Sequence, residues 1–235
     1  MNAAAKVCVI IGAGPGNGAS LARRFAGAGY RLALCARNVD FINRLAGELD
    51  GAEAFAYDAS DAKSAAQVLP AIAAALGPID TLIYNAGAGT FGSLDKITAE
   101  DFEHAWRVNA LGLFAAAKQV VPAMRERGGG TIIVIGATAS IKHGANFTAF
   151  TSAKSAQRAM AQSLARHLGR DRIHVGYVII DGVIDLERTR KVMTDKPDEF
   201  FLKPDAIADA VYFLARQDPS AWTFELDLRP FGERW

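Results

Sequence analysis

Short apolar runs rich in Val, Ile and Leu recur along the chain at residues 6–11, 31–36, 53–57, 81–84, 131–136 and 175–180. They read as strands. Between them lie Ala-rich segments whose apolar positions recur at helical spacing, at 18–28, 62–76, 101–127 and 148–168. Strand and helix alternating in this way predict right-handed crossovers and a parallel sheet covered on both faces, with strands apolar on both sides. The expected fold class is α/β, a doubly wound parallel sheet of about seven strands. A last strand is predicted at 223–228, after a helix at 205–216 that Pro204 opens at a favoured first-turn position.

Composition supports this reading and narrows the function. A chain of 235 residues with no visible linker fits one domain spanning 1–235. Hydrophobic residues at 51% and charged residues at 22% are ample for a core and exclude disorder. Lys plus Arg is 26 against 25 for Asp plus Glu, and the net +1 gives no field to hold a nucleic acid or an anionic membrane. Cys8 and Cys35 sit inside apolar runs, where free cysteines act as small hydrophobes, so no disulfide framework is expected. No apolar stretch approaches the roughly 18 residues that cross a bilayer. The N-terminal Met-Asn-Ala-Ala-Ala-Lys lacks the regions of a signal peptide. The expected compartment is the cytoplasm, and no metal is expected.

Ligands of open α/β sheets sit at the carboxyl ends of the strands, so the residues just after each strand matter most. After the first strand comes Gly12-Ala13-Gly14-Pro15-Gly16-Asn17-Gly18, followed by an Ala-rich helix. These glycines permit a tight turn and let backbone N–H groups approach a pyrophosphate at the positive end of the helix. The loop spacing resembles that of the short-chain dehydrogenase/reductase family. The likeness continues through Asp58 after the third strand, Asn85-Ala86-Gly87 after the fourth, Asn109 in the long helix, and Lys154 where the family places its Tyr-x-x-x-Lys lysine. In order and spacing it covers essentially the whole chain, and it implies a Rossmann-type fold. It implies further that Gly12, Gly14, Gly16, Asn17 and Gly18 hold the pyrophosphate, Asp58 and Ala59 contact the adenine, Asn85 to Gly87 floor the cleft, and Lys154 holds the nicotinamide ribose. Gly182 and Ile184 match the family at the nicotinamide end.

Cofactor choice has a chemical argument. An NAD-selective site places a carboxylate after the second strand to accept from the ribose 2′-hydroxyl. Here that strand ends Cys35-Ala36-Arg37-Asn38, with no acid until Asp40, and Arg37 offers a cationic fork suited to a 2′-phosphate. NADP(H) is therefore expected over NAD(H).

Two family hydroxyls are missing. The tyrosine four residues before the lysine, which the family uses as proton donor, is Phe150. The serine that polarises the carbonyl falls on Ala137. Asn109 and Lys154 remain as catalytic candidates. A positioned general acid contributes about 10²- to 10⁴-fold, and a lost oxyanion donor costs about 10²- to 10³-fold more, so ordinary carbonyl reduction should be severely impaired. Thr138 and Ser140 lie one slip of the loop from position 137. His143 sits in the loop overhanging the substrate cleft, and Asp181 replaces the family's proline after the sixth strand. Each is a substitute-donor candidate. Thr138, Ser140, His143 and Phe150 are expected to face the substrate. Asp181 reads equally as a cap on the following turn, and His143 as a surface residue. Phe147, seven residues before the lysine, excludes the tyrosine of enoyl-reducing relatives.

Residues 181–203 correspond to the family's substrate lid. Its Arg188, Arg190, Lys191 and Lys196 are balanced by Glu187, Asp195, Asp198 and Glu199. A homodimer or homotetramer is expected by resemblance. Trp222, Phe231 and Trp235 are suited to subunit contact or to folding back on their own core. Two functions follow: an oxidoreductase that moves hydride on a small carbonyl, alcohol or enone with a non-standard proton donor, or a catalytically impaired dinucleotide-binding or scaffold protein.

Overall fold

The computed structural model describes residues 5–233, so Trp235 and the N-terminal Met-Asn-Ala-Ala lie outside the described residues. Strand and helix alternate from β1 (Val7–Ile11), α1 (Asn17–Ala26), β2 (Arg31–Ala36), α2 (Val39–Gly47) and β3 (Ala52–Ala56) to α3 (Ala62–Leu76) and β4 (Ile79–Tyr84). Then come α4 (Ala99–Trp106), α5 (Gly112–Glu126), β5 (Gly130–Ile135), α6 (Thr148–Leu168) and β6 (Ile173–Ile180). The chain ends in β7 (Val183–Ile184), α7 (Glu187–Val192), β8 (Phe201–Leu202), α8 (Pro204–Ala215) and β9 (Glu225–Leu228).

Seven strands form one sheet in the order β3-β2-β1-β4-β5-β6-β9, and every pairing is parallel. This is the expected doubly wound architecture. Alternate side chains of each strand enter one of two cores. Val9, Leu82, Val134 and Tyr177 pack with α3, α5 and α6 on one face. Ile10, Leu34, Ile133 and Val178 pack with α1, α2 and α8 on the other. Consecutive strands β1, β2 and β3 run toward one edge while β4, β5 and β6 run toward the other, so the chain reverses direction between β1 and β4 and a crevice opens past their carboxyl ends.

Three departures from expectation have local causes. The helix expected over 101–127 is α4 and α5 joined by a wide turn, Arg107–Leu111, with the hydrogen-bond pattern of a π-helix. Tyr84 Oη donates to Val108 O, a carbonyl of this turn, at 2.5 Å. Helix α2 was not expected. Only Ile42 and Leu45 of its residues are buried, and its start is fixed by Asn38, whose side chain accepts from Phe41 N at 3.0 Å. The segment 181–203, expected as a lid without strands, contains the pair β7 and β8 and is braced by Arg190, which bridges Asp185 and Asp198, each at 2.7 Å. Among the described residues no helix is long and apolar enough to cross a membrane.

Candidate functional site

The glycine loop turns between β1 and α1 with Gly12 at φ 92° and Gly16 at φ 91°, where only glycine sits without strain. At Gly12 a Cβ would lie 2.5 Å from Ala86 N; at Gly18 it would lie 2.6 Å from Gly12 O. The close approach of the β4 loop is fixed by Asn85, whose Nδ2 donates to Gly12 O at 2.8 Å. Gly14 has open space around it and no positive φ, so nothing in the loop geometry demands glycine there. Helix α1 starts with no side-chain cap and no acid in its first turn, leaving its positive end free for an anion. Asn17 beside it is buried, with Oδ1 unpartnered.

Further along the crevice, Arg37 is exposed after β2, and no acid precedes it there. Asp58 follows β3. Burial works against its carboxylate, but hydrogen bonds from Ser60 N at 2.9 Å and Ser60 Oγ at 2.7 Å, with Arg37 and His104 nearby, hold its carboxyl below the usual range. Ala59 is buried against Gly112, whose missing Cβ gives room to the Ala59 carbonyl and the Tyr84 hydroxyl.

The catalytic candidates meet above Gly87. A Cβ on that glycine would lie 3.4 Å from Asn109 Oδ1 and 3.7 Å from Lys154 Nζ. Asn109 sits in the π-turn, wholly buried, with Nδ2 donating to Ala105 O at 2.9 Å and Ala88 O at 3.2 Å. Its Oδ1 has no partner. Lys154 Nζ donates to Ile135 O at 3.1 Å and to Gln157 Oε1 at 3.0 Å, and Gln157 Nε2 donates to Asn109 O at 2.9 Å. Burial without a facing carboxylate pushes the lysine down to about 7. Two unpartnered acceptors and a glycine cradle that side chains would fill make a site whose residues fit a dinucleotide.

Phe150, expected to face the substrate, lies one helical turn before Lys154, and its ring meets Phe91 edge-on at 5.3 Å. Thr138 Oγ1 lies 2.6 Å from Asp181 Oδ1 and 3.1 Å from Ile180 O. Ser140 is buried and donates to Ala137 O at 2.8 Å. His143 is exposed, with Nδ1 2.6 Å from Thr151 Oγ1. Asp181 is 4% exposed, and its Oδ2 lies 3.6 Å from Lys142 Nζ and 3.7 Å from Arg229 Nη2, so it stands among cations as an acceptor. Gly182, at φ 148°, packs against Pro230 and Leu202. Ile184 pairs with Leu202, and Leu186 rests its side chain on Gly16. Trp222 folds back to stack on His174 with ring centroids 4.8 Å apart, whereas Phe231 is 91% exposed.

Sequence reasoning missed two residues. Gln157 is a polar side chain on the buried face of α6, three residues after Lys154, and that placement is a readable signal. Phe91 sits in an irregular loop whose position comes only from long-range contacts. Among the described residues no cluster of His, Cys, Asp or Glu is gathered to hold a metal.

The family model described as short chain dehydrogenase matches residues 6–197. The chain is 31% identical over 221 residues to the 7alpha-hydroxysteroid dehydrogenase of Escherichia coli, covering 89% of this chain and 86% of that protein. Among solved structures it resembles the alcohol dehydrogenase of the archaeon Thermococcus sibiricus complexed with 5-hydroxy-NADP, with TM-score 0.86, 29% identity, and 97% and 98% of the two chains covered. It also resembles the 3-ketoacyl-(acyl-carrier-protein) reductase of Brucella melitensis complexed with NADH, with TM-score 0.85, 28% identity, and 96% and 97% covered. Glycine cradle, β1/β4 crevice and matched sequence converge on one conclusion: the chain belongs to the short-chain dehydrogenases/reductases, a family of oxidoreductases.

Proposed function

We propose that the protein is an NADP(H)-dependent oxidoreductase that moves hydride to or from a small carbonyl, alcohol or enone compound, with a proton donor other than a tyrosine. The carrying observation is the convergence of Lys154 Nζ and the unpartnered Asn109 Oδ1 above Gly87, beside an open glycine cradle. When bound, the dinucleotide supplies or accepts the hydride. Gly12, Gly14, Gly16, Asn17 and Gly18 receive its pyrophosphate at the start of α1, and Asp58, Ala59 and Asn85 to Gly87 line its adenine and ribose side. Arg37 takes the 2′-phosphate. Solved relatives hold either dinucleotide, so the preference rests on Arg37 and the missing acid after β2. Lys154 offers a donor and Asn109 Oδ1 an acceptor to the ribose hydroxyls, while Gln157 keeps the lysine in place. A water on Lys154 carries the proton that Phe150 cannot. The lid over 181–203 excludes bulk water, and Gly182 and Ile184 flank the nicotinamide end. We place the protein in the cytoplasm as a homodimer or homotetramer.

Fluorescence titration with NADPH and NADH tests this reading, and tight NADPH with weak NADH binding is expected. Lys154→Ala should abolish NADPH oxidation; turnover indifferent to that change would refute the role given to Lys154. Phe150 and Ala137 favour a second reading, a dinucleotide-binding scaffold without catalysis, which predicts NADPH binding with no turnover on any carbonyl or enone tried.

A further inference from the structure

The wall of the substrate cleft is aromatic and poor in available protons. Phe91 comes from the loop after β4, Phe147 from the loop after β5, and Phe150 from the first turn of α6. Phe91 meets Phe147 edge-on at 5.4 Å and Phe150 at 5.3 Å. The two loops are tied by Gly92 N donating to Asn146 O at 2.8 Å and Thr148 N donating to Gly92 O at 3.3 Å. Phe91 is 63% and Phe147 41% exposed, so ring surface stands open. The hydroxyls that flank Ala137 and Phe150 are engaged elsewhere. Thr138 turns to Asp181 and Ile180 O, Ser140 to Ala137 O, Thr151 to Ala139 O at 2.6 Å, and Ser152 to Thr148 O at 2.9 Å.

Charge development decides what such a wall can assist. Hydride addition to a neutral carbonyl creates an alkoxide, which a water on Lys154 must protonate in place of a positioned side-chain acid and oxyanion donor, devices that contribute factors of about 10² to 10⁴ and 10² to 10³. Hydride addition to an iminium removes a positive charge and needs no proton. Aromatic faces attract such a cation.

Resting on the hydride-transfer reading above, we propose that the preferred acceptor is a planar iminium cation held against Phe91, Phe147 and Phe150. In the step, the donor's C–H bond breaks and a C–H bond forms at the iminium carbon. The C=N π pair becomes the nitrogen lone pair. The iminium is reduced to a neutral amine, the reduced nicotinamide dinucleotide is oxidised, and no proton enters or leaves.

The test uses the purified full chain, N-methyl dihydroisoquinolinium as the cation, and α-tetralone as a neutral ketone of similar bicyclic shape. Calorimetry with NADP⁺ present should show the cation bound about 3- to 30-fold tighter than the ketone, and Phe91→Leu should remove that preference. With NADPH, the cation should be reduced at least about 10²-fold faster than α-tetralone, and Phe150→Tyr should narrow the gap by raising ketone reduction. Equal or better binding and reduction of α-tetralone would overturn the cation preference while leaving hydride transfer standing. Neither compound binding, with NADPH binding intact, would overturn it as well. If NADPH itself fails to bind, the hydride-transfer reading falls and takes this inference with it.

Discussion

Lys154 occupies a place where a charged amine is costly, and its titration therefore writes itself into stability. Its ordinary value of 10.5 falls to about 7 on folding. Between those two pH values the unfolded chain holds a proton that the folded chain has released, so the lysine's contribution to stability improves as pH rises through that window. Urea unfolding of the wild type and of Lys154→Met across pH 6 to 11 should show the wild type gaining on the variant from about pH 7 upward; parallel curves would mean that the amine is solvated. The role proposed for Arg37 concerns a different discrimination, between the two dinucleotides. Arg37→Glu removes a charge-assisted contact worth about 1.5–3 kcal/mol and sets a carboxylate against the 2′-phosphate, so the NADPH Kd should rise about tenfold or more while the NADH Kd falls. Unchanged affinities in the same titrations would make Arg37 a bystander.

The π-turn between α4 and α5 shows how one element shapes another. It holds Asn109 buried, and its carbonyls at Val108 and Asn109 accept from Tyr84 and Gln157. Gly112 closes it, and a side chain there would run into the Ala59 carbonyl and the Tyr84 hydroxyl. Gly112→Ala should cost about 1–3 kcal/mol by overpacking, read as a lowered Tm, with weaker NADPH binding because Asn109 shifts with the turn. This turn was invisible in the residue pattern, since Arg107–Leu111 carries the same helical periodicity as its flanks and its side-chain partners, Tyr84 and Gln157, come from distant parts of the chain. The seven strands of the main sheet, by contrast, were legible as short apolar runs and each came within about two residues of its predicted span, whereas the two-residue strands β7 and β8 were not foreseen. Helix α2 escaped because its buried face is only Ile42 and Leu45, although Asn38 before Phe41 was a cap signal in plain view. In the site, the glycine loop was readable from its residues and setting, and Lys154 through the family resemblance. The aromatic wall was not, because Phe91 belongs to no periodic element.

At the scale of the whole molecule, Phe102, Trp106 and Phe114 of α4 and α5 are each more than two-fifths exposed, an apolar load unusual for a surface helix pair. Light scattering should return a dimer or tetramer, and Phe114→Asp should shift it toward the monomer; a wild-type monomer would end the expectation. The two thiols give a different kind of access to the molecule. Cys8 on β1 and Cys35 on β2 are fully buried in the centre of the sheet, and burial pushes both thiols above their ordinary value. A thiol reagent therefore finds no thiolate until the central strands part, and its reaction becomes a clock for that opening. Labelling of both cysteines should proceed at one shared rate, slowed by NADPH in proportion to site occupancy, so that cofactor affinity can be timed through thiols buried beneath its proposed site.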